Sequence, residues 1–367
     1  MMDWKVPFIN LSAQYEEFKI EFDEAFSRVM KCGSFILRAD VTDFENEMAK
    51  RLGVKYVIGV NSGTDALYLS IRALDINLDD EVITVAHTFV ATIAAITHVG
   101  AKPVLVDIGE DYNMLCHKIE EKITKNTKAI IPVHLNGRMC DMEKIKSLAI
   151  KHNLFVIEDS AQALGAKFNQ KRAGSIGDVG CFSLHPMKIL SVPGDGGFIS
   201  TNNDYLNKKI RKLRDHGQTT KTDISMFGFN SRLDNLHAAL AAIKLKSFDV
   251  GIKKRREIAD FYDKKLSDLP ITLPCPPSSG TYYDVYNSYV IGCERRDTLV
   301  EHMINKKVEV FVHMGVPLYE HKKLSLDGAG LNNNNYISSR IVSLPIYPEM
   351  SEDNMNYVVE SIRGFFK

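Results

Sequence analysis

The sequence predicts an α/β protein, a mainly parallel sheet with helices on both faces joined to a second, smaller α/β domain. Three observations carry that prediction. Between residues 54 and 157, short apolar runs of strand length alternate with segments of helical periodicity across short connections. Pro270, Pro274, Pro276 and Pro277 then interrupt the chain as a linker would, and strand-like and helix-like segments resume beyond them. Finally, 367 residues suffice for a large core and two domains, which we expect to divide as 1–249 and 250–367.

Each element has a local cause. Phe18, Ile20, Phe22, Phe26, Val29 and Met30 recur at helical spacing over 16–31, and Cys32-Gly33 stops that helix. A second helix over 42–52 ends at Gly53. Residues 54–60 read as a strand, and Asn61-Ser62-Gly63-Thr64 turns the chain into a helix over 65–74. Strands at 81–85, 103–106, 129–133 and 154–157 alternate with helices at 89–99, 116–123 and 142–151. After Gly174 come short strands at 179–184 and 197–201, a helix at 205–214, and helical stretches at 235–246 and 252–269. The smaller domain reads as strand 286–291, helix 296–305, strand 308–313 and helix 353–365. Asn332 to Asn335, the one low-complexity patch, reads as an exposed loop, and no internal repeat occurs.

Composition excludes several function classes. Lys plus Arg and Asp plus Glu both number 46, so no basic surface is expected to track nucleic acid. A chain without net charge also lacks one deterrent to self-association. The cysteines, Cys32, Cys116, Cys140, Cys181, Cys275 and Cys293, are scattered without a C-x-x-C pair, so reduced thiols are expected, with no zinc site. The stretch Met1 to Pro7 has no apolar signal core, and no run reaches membrane-spanning length; a cytoplasmic protein without a membrane partner is expected.

The chemistry concentrates on two stretches. Val156-Ile157-Glu158-Asp159 is a short apolar strand ending in an acid; Cys181-Phe182-Ser183-Leu184-His185-Pro186-Met187-Lys188 is another, ending in Ser, His and Lys. If the two strands are parallel neighbours, Asp159 and Lys188 reach the same edge of one sheet, where open α/β folds bind ligands. Such a pair suits pyridoxal phosphate, Lys188 forming the Schiff base and Asp159 facing the pyridinium nitrogen. Taken alone, Asp159 equally suits a helix N-cap or a salt bridge, and a lysine is ordinarily a solvated surface residue. Ser62-Gly63-Thr64 opens a helix where free N–H groups favour phosphate, although an ordinary N-cap explains the same residues. Gly174-x-x-Gly177-x-x-Gly180 leads into a strand and reads as a turn, not a dinucleotide loop.

Several motifs in order resemble the DegT/DnrJ/EryC1/StrS family of sugar aminotransferases. They are Phe44-Glu45 before Leu52-Gly53, Ser62-Gly-Thr-Asp-Ala-Leu67, Thr88-Phe-Val-Ala-Thr92, Pro132-Val-His-Leu135 with Gly137, and Glu158-Asp-Ser-Ala-Gln-Ala163. Phe182-Ser183 with Lys188, Gly194-Asp-Gly-Gly197, His216-Gly217, Gly228-Phe-Asn-Ser-Arg232 and Leu344-Pro-Ile-Tyr347 continue the series, so the resemblance covers nearly the whole chain. It implies the pyridoxal-phosphate transferase fold of type I, with a mainly parallel seven-stranded sheet and a smaller C-terminal domain. It also implies Lys188 and Asp159 as catalytic residues, Gln162 beside the ring and its phenolic oxygen, and Phe89 stacked on the ring. By the same resemblance Ser62, Gly63, Thr64 and Ser183 would hold the phosphate, joined by Asn230 from a second subunit of a homodimer. Arg232, His185 and Tyr319 would lie near the substrate, whereas His134 and His313 are expected to pack or to support other residues.

The expected reaction moves an amino group from glutamate to a nucleotide-linked keto-deoxy sugar, through the pyridoxamine form, for amino-sugar and surface-polysaccharide synthesis. The retained Lys188 implies transamination, where relatives with histidine perform dehydration. The resemblance of Gly194-Asp195-Gly-Gly to relatives that aminate C3 implies C3 over C4. Asn136 replaces a common aromatic and Tyr319 a common histidine, which opens the substrate question. A keto-inositol or phosphorylated ketone is the alternative substrate, and a non-catalytic regulatory protein that binds the cofactor is the alternative class.

Overall fold

The computed structural model describes residues 4–220, 222–277 and 280–367. In chain order, α1 (Leu11–Cys32) and α2 (Ala39–Leu52) precede β1 (Tyr56–Val60) and α3 (Gly63–Ala73). Then come β2 (Glu81–Val85), α4 (Val90–His98), β3 (Lys102–Val106), β4 (Thr127–Ile130), α5 (Met142–His152) and β5 (Phe155–Asp159). A short hairpin of β6 (Lys167–Phe168) and β7 (Lys171–Arg172) leads to β8 (Val179–Ser183), β9 (Gly197–Thr201) and α6 (Asp204–Leu213). The ribbon of β10 (Gln218–Thr220) and β11 (Asp223–Ile224) precedes α7 (Asn235–Lys244) and α8 (Phe248–Leu266). β12 (Tyr282–Tyr283), β13 (Tyr289–Gly292), α9 (Arg296–Asn305), α10 (Asn332–Ser338), β14 (Ile341–Leu344) and α11 (Glu352–Phe365) complete the chain.

The central sheet has seven strands in the order β1-β9-β8-β5-β4-β2-β3. β3, β2, β4, β5 and β8 run parallel, and β9 runs antiparallel to both β8 and β1. The reversal at β9 has a simple cause. Parallel neighbours need a crossover, usually a helix, but residues 184–196 contain none, so β9 turns straight back. Side chains alternate between the two faces as the pleat requires. Val57, Ile83, Val85, Val156 and Phe182 join the core under α2 and α5, while Ile58, Val82, Ile157 and Cys181 join the core under α3, α4 and α6. Both faces are covered, which explains why the strands read as unbroken apolar runs.

Burial sets how firmly each helix is held. Ala66, Leu67, Leu69, Ile71 and Ala73 of α3 are all buried, each large aliphatic contributing about 1.5–3 kcal/mol. α1 buries only Ala25 and Val29, against α7, so it is the more loosely attached. Both α1 and α2 end where the sequence indicates, at Gly33 and Gly53, whose φ values of 61° and 72° are left-handed and favour glycine.

A third core gathers Val6, Ile258, Ala259, Tyr262, Leu266, Tyr289, Leu299, Val342, Val358 and Ile362. α8 spans the boundary: Phe248 and Ile252 pack in the core of the large sheet, Ile258 onwards in the third core. We propose 1–249 and 250–367 as the two domains, with the N-terminal Val6 returning to the smaller one through its bridge to Val308.

Three local expectations change, and one strand goes unforeseen. The helix at 116–123 is two 3-10 turns, Cys116–Lys118 and Glu120–Lys122. The strand at 308–313 reduces to single bridges, Val308 to Val6 and Phe311 to Ser343, because the segment crosses from one neighbour to another. β14, a four-residue run stopped by Pro345, has too little length to announce itself in sequence. The asparagine patch is the start of α10, not a loop: Asn332, Asn333 and Asn335 are exposed, but Asn334 is buried and Asp107 accepts from the Asn333 and Asn334 amides at 2.9 Å each.

One ion cluster ties the N-terminal helices to the sheet. Glu45 Oε1 accepts from Gly59 N at 2.8 Å and from Arg214 Nη1 at 2.6 Å, and Oε2 faces Arg211 at 2.8 Å. Glu45 and Arg214 are both buried. Glu45→Ala is expected to cost about 3–5 kcal/mol in chemical denaturation, because Arg214 keeps a buried charge without its partner. A loss under about 1 kcal/mol would show that solvent replaces the carboxylate.

Candidate active site

β5 and β8 are adjacent and parallel, with Asp159 opposite Cys181. Their carboxyl ends therefore open at one edge, where β5 delivers Asp159 and the loop after β8 delivers Lys188. Asp159 is buried at the end of an apolar strand. Burial pushes its pKa up, against the opposing pull of Thr92, the Ala161 amide and the Lys188 charge. Burial likewise pushes the Lys188 pKa down, and the Asp159 charge resists. Each group is thus costly to ionise alone and supports the other's charge, the combination expected where a protonated ring nitrogen and a proton-carrying amine are needed.

Thr92 completes the acid. Its Oγ1 donates to Asp159 Oδ2 at 2.7 Å and lies 2.7 Å from Thr88 Oγ1, while Ala161 N donates to Oδ1 at 3.2 Å. Thr88 and Thr92 stand four residues apart, one helical turn, which places them together at the start of α4. That spacing was visible in the motif, but nothing in sequence tells which acid the pair would meet.

The neighbouring Glu158 does a different job. Its side chain leaves the strand on the opposite face and accepts from Gly174 N at 2.9 Å, Ile176 N at 2.7 Å and Gly177 N at 2.6 Å. His134 Nδ1 accepts from Cys140 N at 3.1 Å, so its Nε2 carries the proton and donates to Glu158 at 3.0 Å. Burial raises the Glu158 pKa, but the His134 and backbone hydrogen bonds outweigh it and leave the carboxyl below its usual range. The Gly174–Gly177 turn is therefore a cradle for a buried carboxylate, and His134 supports it.

The other expected residues surround the edge. Ser62 caps α3, its Oγ accepting from Asp65 N at 3.0 Å, so Gly63 and Thr64 form the first turn. Ser183 ends β8 so close to Gly63 that a Cβ there would stand 2.8 Å from the Ser183 Cβ. Gln162 Oε1 accepts from Asn136 N at 2.9 Å. Phe89 caps α4 and is 65% exposed, a large apolar ring left open to solvent at the start of the helix. His185 Nδ1 accepts from Met187 N at 3.2 Å, turning the loop that carries Lys188; burial lowers its pKa, assisted by the Lys188 charge. His313 lies where burial and the same charge depress it, and bonds Ser343 Oγ at 3.1 Å.

Two expected residues lie on a separate loop. Ser231 donates to Asp65 Oδ2 at 2.7 Å, which fixes the 230–232 segment beside α3; Arg232 pairs with Asp215 at 3.3 Å, and Asn230 is exposed. Tyr319 sits on a 3-10 turn, Leu318–Glu320, that packs with Leu318, Leu326 and Leu331 against Ala86, Ile93 and Leu105. It therefore flanks α4, whose first residues follow Phe89.

These residues fit pyridoxal phosphate. A helix N-terminus with a glycine that admits close approach suits the phosphate, a buried acid suits the ring nitrogen, and an uncovered phenylalanine suits the ring face. Fold and edge together define a pyridoxal-phosphate enzyme. Comparison with known proteins names the family: the DegT/DnrJ/EryC1/StrS aminotransferase family model matches residues 16–363, and the chain belongs to that family. It is a pyridoxal-phosphate-dependent transaminase. The chain is 41% identical to the dTDP-3-amino-3,6-dideoxy-alpha-D-galactopyranose transaminase of Aneurinibacillus thermoaerophilus, over 98% of this chain and 99% of that one. It is 38% identical to the pleiotropic regulatory protein of Geobacillus stearothermophilus, over 99% of each. Among solved structures, S. venezuelae DesV in complex with a ketimine intermediate superposes with a TM-score of 0.95 at 35% identity, covering 98% of each chain.

Two substitutions test the site. Thr92→Val removes a donor that favours ionised Asp159, so the acidic limb of the kcat/KM pH profile is expected to move upward, with about tenfold lower activity. Gly63→Ala pushes against Ser183 and is expected to weaken cofactor affinity about tenfold or more in equilibrium titration, while far-ultraviolet dichroism stays unchanged.

Proposed function

We propose that the protein transfers an amino group from glutamate to a nucleotide-linked 3-keto-deoxy sugar, for amino-sugar and surface-polysaccharide synthesis. The observation that carries the residue assignments is the meeting of Asp159 and Lys188 at one sheet edge beside the α3 N-terminus. The likeness to a dTDP-3-amino-3,6-dideoxy-alpha-D-galactopyranose transaminase supports the substrate class, and the family resemblance of Gly194-Asp195-Gly-Gly favours C3 over C4.

The geometry supports the following roles. Bound pyridoxal phosphate supplies an electron sink next to its reactive carbon. Asp159, held by Thr92 and the Ala161 amide, keeps a proton on the ring nitrogen. Lys188, its ammonium form disfavoured by burial, carries a proton between the donor's α-carbon and the cofactor's C4′ position. Gln162 spends its carbonyl on Asn136 N, which leaves its amide N–H groups for the phenolic oxygen. Gly63, Thr64 and Ser183 would hold the phosphate, with Ser62 capping the helix end that faces it, and Phe89 would stack on the ring.

Asn230 is exposed on a loop pinned by Ser231, and we assign it to the phosphate position of a second copy in a homodimer. Arg232, His185 and Tyr319 are assigned to the sugar side. A purely regulatory protein that only binds the cofactor would have no need of a desolvated lysine facing a buried acid.

Two measurements check this reading. Lys188→Ala is expected to lower turnover by about 10³-fold or more and to abolish borohydride trapping of cofactor on the protein. Trapping that persists on another residue refutes the assignment. In a panel of ketones, a dTDP-linked 3-keto sugar is expected to reoxidise the pyridoxamine form fastest. Faster reaction with a free keto-inositol or a phosphorylated ketone would favour the other substrate class.

A further inference from the structure

α1, α7 and α8 converge behind the loop that carries Lys188. The loop is closed at its neck, where Val192 N donates to Leu184 O at 2.8 Å, and the Lys188 N–H donates to His185 O at 2.8 Å. Leu184, Leu190, Ser191 and Val192 are buried, so the base of the loop belongs to the interior. Lys188, between the two ends, lies close enough to Asp159 for each charge to act on the other.

α7 backs this loop at two points. Gly194, just past the neck, lies against His237, where an added Cβ would stand 2.9 Å from the ring Cε1. Two turns further along the same face of α7, Lys244 Nζ donates to Ser191 Oγ at 2.6 Å. Another N–H of that ammonium goes to Gln14 Oε1 at 3.0 Å, in the first turn of α1. This is a costly place for a lysine. Burial pushes the Lys244 pKa down to about 8; Glu349 and Glu17 pull it back up, and the Arg255 charge adds to the lowering. An open pocket of about 550 Å³, whose lining includes Phe18, Ile189, Lys244, Arg255 and Glu349, borders the loop on the same side. Packing is therefore incomplete behind Ile189, and the polar tie from α7 carries the restraint there.

We propose that Lys244 is a positioning residue, which through Ser191 holds the loop so that the Lys188 amine stays beside Asp159. Ser191 is three residues from Lys188 in a loop whose neck is already closed, so a shift at Ser191 has little chain in which to be absorbed before it reaches the amine. An amine that must hand a proton between two fixed carbons loses rate when its placement drifts, even where binding is unchanged. This inference rests on the reading of Lys188 as the proton carrier, and it extends that reading to the residue that places it.

The glutamate half-reaction gives the test in both directions, without need of the sugar. Cofactor absorbance is followed in single turnovers with glutamate, and with 2-oxoglutarate on the pyridoxamine form. Lys244→Met keeps the length of the stem and removes the donor. It is expected to slow both directions about tenfold, the worth of one hydrogen bond from a charged group, with apparent affinities for both compounds within about twofold of the parent. Ser191→Ala removes the same bond from the loop side and is expected to give the same split, with the double variant within about twofold of either single one. Lys188→Ala protein has no tethered amine to place, so adding Lys244→Met to it is expected to change the residual rate by less than about twofold. Rates for Lys244→Met and Ser191→Ala that both stay within about twofold of the parent overturn the proposal. So does a loss that persists undiminished in Lys188→Ala protein, or a cofactor affinity that falls as much as the rate, since either marks a merely structural role. Borohydride trapping on the parent separates this from failure of the underlying reading. Cofactor fixed elsewhere than on Lys188 refutes the lysine assignment, whereas cofactor on Lys188 with unaltered variant rates refutes only the tie.

Discussion

A buried acid and a half-buried amine meet at the carboxyl edge of two adjacent parallel strands, and the rest of the molecule serves that arrangement. Neither Asp159 nor Lys188 is easily charged where it sits, because burial opposes ionisation of both. Their mutual attraction and the Thr92 and Ala161 donors offset part of that cost. A cationic ring nitrogen inserted beside Asp159 would offset the remainder, so cofactor affinity and the protonation state needed for catalysis have the same physical origin.

Holding that edge requires a rigid floor. Glu158 and Asp159 are consecutive in β5, and the pleat sends them to opposite faces. Asp159 turns to the site, while Glu158 gathers three backbone N–H groups and His134 into a fully bonded buried carboxylate. That network fixes the turn entering β8, and with it the starting point of the loop to Lys188. A single strand therefore supplies both a chemical group and the means of positioning its partner. Asp107 repeats the device after β3, where it collects the backbone N–H groups of Asn333 and Asn334 and fastens the start of α10.

Much of this was legible in the sequence. The alternation of apolar runs and helical periodicity specified a covered, mainly parallel sheet, and Gly33 and Gly53 marked two helix ends through their left-handed φ. The pair Asp159 and Lys188 could be proposed from strand endings alone, since a strand's carboxyl end is where such a fold exposes reactive groups. Misreadings fell where local pattern carries no tertiary information. Four residues such as Ile341–Leu344 cannot declare a strand, and a polar run such as Asn332 to Asn335 reads as a loop until Asp107 appears opposite its backbone amides at the start of a helix.

The sequence by itself determined the fold class, the order of the motifs and the chemical nature of the residues at the strand ends, because these depend on periodicity and residue type. Tertiary structure alone decided which partner each group meets. Thr92 finds Asp159 across 67 positions, Asp107 finds Asn334 across 227, and Glu158 finds a glycine stretch that reads in sequence only as a turn. Contacts at that separation follow from how the sheet is wound, and no local pattern encodes them. The opening acid and lysine are adjacent for the same reason: β5 and β8, separated by the short hairpin, are neighbours in the sheet.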